Sequence, residues 1–132
     1  MALVRKVNSI TLPAAGDLSA SQYCIVYQDT NGRVALNTSA ATAPLGILLN
    51  KPAAIDRAAE VAIDGSVVKC KASAAIGERA RVTQAASGHG LATVTALDEV
   101  VGVAISAAAG TGEMFELLVM PSRAGTAVYE TV

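Results

Sequence analysis

"VYQDTNGRVAL", Val26 to Leu36, and "VTQAASGHGLA", Val82 to Ala92, decide how this chain is read. In the first, β-branched and aromatic residues run into Asp29 and Asn31, whose short side chains bond local backbone, and then into Gly32, which takes positive φ without a Cβ clash. The return through "RVAL" makes this a hairpin. The second stretch keeps the same frame 56 positions later, with Val82 for Val26, Gln84 for Gln28 and Gly88 for Gly32. Gly102 answers Gly46 at the same spacing. A small β module is written twice.

Short β segments separated by turns fill the rest, the pattern of an all-β sandwich or barrel. "QYCIVYQ" is apolar on both faces and should be covered twice, whereas "SVVKCKA" alternates, with Val68, Cys70 and Ala72 inward and Lys69 and Lys71 outward. The second half runs "ERARVTQ", "GLATVTA", "EVVGVAIS" and "EMFELLVM", with Glu113 matched to Glu60 at the opening of the fourth strand. The expected fold is a compact all-β barrel or sandwich of two similar units, residues 18–72 and 74–121, within one β domain at 16–121. In this frame "GSVVKCKA" closes the first unit and links the halves. Gly46 and Gly102 interrupt apolar strands, which points to a bulge, a tight bend or the close approach of another backbone, or to simple tolerance in an alanine-rich sheet. Residues 52–60, "PAAIDRAAE", read equally as a two-turn helix or an ordered loop.

Composition narrows function. Charged residues make up only 16 %, aromatics 3 %, and the net charge is −1, so no basic footprint for nucleic acid or an anionic membrane exists. No apolar run reaches the length of a membrane span. Asn8, Ser9 and Thr11 interrupt the apolar stretch that a signal peptide needs. Cys24 and Cys70 stand alone in strand-like sequence and read as buried thiols rather than a disulfide. The single histidine, His89, lies between two glycines and reads as a solvated turn residue, since general base work needs a partner and a wall. No nucleophile elbow, phosphate loop or metal-ligand spacing appears. The expectation is a protein that is not an enzyme and takes no cofactor or metal.

The ends belong to neither repeat. Residues 1–15 form an apolar N-terminal arm carrying Leu3, Val4, Arg5, Val7, Ile10 and Leu12, and residues 122–132 form a tail with Tyr129. Free tails are usually more polar. These segments are therefore expected to add as strands to a neighbouring subunit or surface. The structural turn glycines are expected at Gly32, Gly88, Gly46 and Gly102, with both hairpin tips exposed.

Taken in order, "GDLSASQYCIVYQDTNGRVAL", "APLGILLN", "AAEVAIDGSVVKCKASAAIGERARV", "SGHGLA" and "EVVGVAISAAAGTGEMFELLVMP" resemble the small head-decoration, or capsid cement, proteins of tailed bacteriophages. The carriers are the strands around Gly46 and Gly102, "V-x-I-D-G" at Val61 to Gly65, and "E-x-x-x-x-L-V" at Glu113 to Val119. The resemblance implies a protein made in the host cytoplasm that binds the outer face of an assembled head. Its partner would be the major capsid protein, its form a homotrimer, and its work the cementing of capsomers against DNA pressure; the doubly apolar "QYCIVYQ" and the low charge point to trimerisation through apolar faces of the core. A tail or fibre component, or a carbohydrate-binding adhesion module, is the alternative.

Overall fold

The computed structural model describes residues 6–95 and 97–123. The remaining residues, with Leu3, Val4, Arg5 and Tyr129 among them, lie outside this description. Ten strands form, and no helix occurs among the described residues. They are β1 (Ser9–Pro13), β2 (Ile25–Gln28), β3 (Val34–Leu36), β4 (Gly46–Leu48), β5 (Ala58–Ala62), β6 (Val67–Lys71), β7 (Arg81–Gln84), β8 (Gly90–Ala92), β9 (Glu99–Ala104) and β10 (Met114–Arg123). Two five-stranded antiparallel sheets result, ordered β1-β5-β4-β2-β3 and β6-β10-β9-β7-β8. In each sheet a parallel bridge joins the two outer strands, Ala14 to Val34 in the first and Ala72 to Gly90 in the second. Each sheet thus curls until the ends of its outer strands meet.

The duplication is deeper than four matching residues. Ile25 pairs with Ile47 where Arg81 pairs with Val103, and Ile47 pairs with Ala62 where Val103 pairs with Leu118. Positive φ recurs at the same interval: Tyr23 at 65° and Arg79 at 66°, Gly32 at 77° and Gly88 at 80°, Asp56 at 66° and Gly112 at 82°. The frame of the repeat, however, starts earlier than the hairpins indicate. β6 occupies in the second sheet the place that β1 occupies in the first, so "VVKCK" opens the second half and does not close the first. The counterpart of Glu60 is Glu116 and not Glu113, because the N–H of Leu49 bonds the carbonyl of Glu60 as that of Ile105 bonds Glu116.

The N-terminal segment is correspondingly part of its own fold. β1 runs antiparallel to β5 over five paired residues, from Ser9 opposite Ala62 to Pro13 opposite Ala58. Ahead of it, the Val67 N–H bonds the Lys6 carbonyl at 2.9 Å, and the buried Ser66 hydroxyl both receives the Asn8 N–H at 2.8 Å and donates to the Asn8 carbonyl at 2.9 Å. One short segment therefore stitches the edge of the second sheet to the first. At the other end β10 passes Pro121 and ends at Arg123, and its register with β9 shifts between Val119 and Ser122. A proline with no N–H fits such a bulge.

Two apolar cores lie on opposite faces of the first sheet. Ile25, Ile47 and Ala62 pack against Val68, Cys70, Val82, Val101, Phe115, Leu117 and Val119 between the sheets. Leu18, Val26, Val34, Leu48, Ala59 and Val61, with Leu12 alongside, form the second. Adjacent residues of a strand point oppositely, so Ile25 enters one core and Val26 the other, and the expected double covering of this strand is present. Both are fully buried within the chain, at 0 % exposure each. The strand is consequently not a face open to sister copies. Burial of each such side chain is worth about 1.5–3 kcal/mol. Residues 51–57 form a loop, and Ala58 to Glu60 belong to β5, so the helix reading fails for "PAAIDRAAE".

Candidate interaction surfaces

Gly46 and Gly102 are places where backbones meet. A Cβ on Gly46 would lie 1.9 Å from the carbonyl oxygen of Ala62, and one on Gly102 2.0 Å from that of Leu118. Of the readings open to sequence, close approach of a neighbouring strand is the one observed. The hairpin tips diverge. At Asp29 to Gly32 one carboxylate oxygen of Asp29 receives the N–H groups of Asn31 and Arg33, both at 2.9 Å, in an exposed turn. The tip at Ser87 to Gly90, expected to be equally exposed, is docked instead. Gly88 is buried against the Leu36 side chain, its carbonyl accepts the Ile25 N–H at 2.8 Å, and Gly90 sits under Phe115.

His89 is accordingly half-buried and not a solvated turn residue, with a buried Nδ1 that has no protein partner. Burial first, and the nearby Lys71 charge second, hold its pKa below the ordinary 6.5. Cys24 and Cys70 are free and buried, and burial pushes both thiols upward, the Cys24 shift being partly offset by Lys71. Among the described residues no three His, Cys, Asp or Glu side chains converge as a metal site.

Of the contact residues proposed on the arm, Val7 is 48 % exposed and Ile10 37 %, whereas Leu12 leans on the second core. A further surface was not foreseen. The sequence reading extended the eighth strand through "GLATVTA", but β8 stops at Ala92, and the connection to β9 carries Val94, fully exposed, and Leu97, 54 % exposed. Its base is braced: the Thr93 hydroxyl donates to Asp98 at 2.5 Å and accepts the Thr95 N–H at 3.0 Å, and the Glu99 N–H bonds the Ala40 carbonyl at 2.7 Å. The corresponding positions in the first half are Thr38 and Ala41. These exposed bulky apolar side chains therefore occur in the second half without a counterpart at the equivalent positions of the first.

No family model and no curated protein matches this chain. Among solved structures, the fold is similar to the head fiber gp8.5 N base of bacteriophage phi29, with a TM-score of 0.64 at 17 % identity, over 89 % of this chain and 97 % of that one.

Proposed function

We propose that this chain is a structural protein of a bacteriophage virion, carried on the outer surface of the head. The observation that supports this reading is the fold likeness to a head fiber base over nearly the full length of both chains. The resemblance of the strand motifs to head-decoration proteins points the same way. On this reading the protein performs no reaction. It works by burying surface against the major capsid protein, and specific contacts of this kind bury roughly 1,200–2,000 Å². The exposed Val94 and Leu97 supply a natural apolar anchor at such an interface. Assembly as a homotrimer belongs to the same proposal, through surfaces other than the internally filled β2.

Two forms of attachment fit the reading. A cement adds contact area between capsomers, whereas a fibre base anchors a projecting assembly, and the fold likeness favours the second as much as the motifs favour the first. Co-sedimentation of the purified chain with undecorated heads tests the shared premise, and failure to bind at micromolar concentration overturns it. Heating decorated and bare heads then separates the two forms: cementing raises the temperature at which DNA escapes, and a fibre base leaves it unchanged.

A further inference from the structure

Three of the four lysines in the chain, Lys51, Lys69 and Lys71, gather at one place. Lys51 and Lys71 line a cleft of about 260 Å³ together with Ser19, Ala20, Gln22, Tyr23 and Met114. Lys69 lies over the Tyr23 ring, 5.6 Å from its centroid. The cleft is held in shape by backbone and amide bonds: the Lys71 N–H reaches the Tyr23 carbonyl at 3.0 Å, the Tyr23 N–H the Leu48 carbonyl at 2.7 Å, and the Gln22 amide the Leu49 carbonyl at 2.9 Å. No carboxylate lines it. Asp17 is engaged nearby by the N–H and hydroxyl of Ser19, and Glu116, opposite Lys69 in the strand register, is buried. The ion pair between Arg33 and Asp56 involves none of the three lysines.

The duplicated frame provides an internal control. The positions equivalent to Lys51, Lys69, Lys71 and Tyr23 in the other half are Ala107, Thr11, Pro13 and Arg79. The positive φ of Tyr23 recurs at Arg79 and so belongs to the fold, but the lysines recur nowhere. Their clustering is not a demand of the architecture. It also costs mutual repulsion in a chain whose net charge is −1.

We infer that this cleft is a binding site for the carboxylate side chains of an acidic protein segment. Lysines supply compact point charges without the planar fork that arginine offers to phosphate. Met114 and Ala20 give the methylene stems of glutamate an apolar wall. A nucleic acid is disfavoured because the cleft lining offers a single aromatic ring, Tyr23, and Lys69 already lies over one of its faces. The inference rests on the cleft itself and holds whether or not the chain belongs to a virion.

The test is titration of the full chain with acetylated tetraglutamate amide, followed by amide NMR, with inorganic phosphate and a ten-residue oligothymidylate as competing probes. Saturable shifts at Tyr23, Lys71 and Met114 are expected, weakened about tenfold in the Lys51→Gln, Lys71→Gln double variant and unchanged in Lys6→Gln. Bound carboxylate beside Lys71 should also offset the field on His89 and raise its titration midpoint. Absence of saturation, equal binding by the lysine double variant with its thermal midpoint preserved, or tighter binding of phosphate or oligonucleotide would each overturn the assignment.

Discussion

At the scale of single residues, the glycines differ in what surrounds them, and the difference is measurable. Gly46→Ala and Gly102→Ala drive a methyl group into a carbonyl oxygen of the neighbouring strand, which must then move. Each is expected to cost about 2–4 kcal/mol in denaturant unfolding, at or beyond the upper end of ordinary overpacking. Gly77→Ala and Gly110→Ala meet nothing within 4 Å and should be neutral or stabilise by up to about 1 kcal/mol. His89 gives a second test. Its folded-state pKa lies below 6.5, so the neutral form is favoured by folding, and the associated stability is present above that value and lost as pH falls through it. Denaturant midpoints taken at pH 7 and pH 5 should show a small loss for the native chain that is reduced in His89→Gln. An equal loss in both would assign the effect to other groups.

At the scale of elements, strands and turns were legible because their signals are local: alternation in "SVVKCKA", turn chemistry in "DTNG", glycine within apolar runs. The repeat frame was not. β1 and β6 are equivalent by register but share no residue, "SITLP" against "VVKCK", since antiparallel pairing asks only for backbone and a tolerable face. A strand that pairs at home has the same sequence signature as one that pairs with a neighbour, which is why residues 2–12 read as an outward arm. Deleting them should therefore remove one edge of the first sheet, uncover Ala59 and Val61, and abolish cooperative melting by circular dichroism. Retention of a native-like melt would restore the arm reading. Ser66→Ala, which removes both hydrogen bonds to Asn8, isolates the stitch between sheets and should cost about 1–3 kcal/mol.

At the scale of the whole molecule, the duplicated frame carries unequal surfaces. The second hairpin tip is docked and the first is free, and the apolar loop at Val94 and the lysine cleft each occur once. None of this was legible beforehand, because exposure and convergence arise only when distant segments pack; Val94 reads as a strand residue until β8 is seen to end before it. If the proposed attachment to heads is correct, Val94→Glu with Leu97→Glu should lower head occupancy at least about tenfold while leaving the unfolding midpoint within about 0.5 kcal/mol of the native chain. Full occupancy by that variant would move the contact elsewhere. The docked tip has one more consequence, for synthesis. All five strands of the first sheet leave the ribosome before Gly88 does, and until then Ile25, Ile47 and Ala62 lack the second-sheet side chains that cover them, and the Ile25 N–H faces water in place of the Gly88 carbonyl. Apolar side chains left in water forgo the burial that stabilises the sheet. The nascent first half should thus wait, loosely closed and open to proteolysis, until the second supplies its cover.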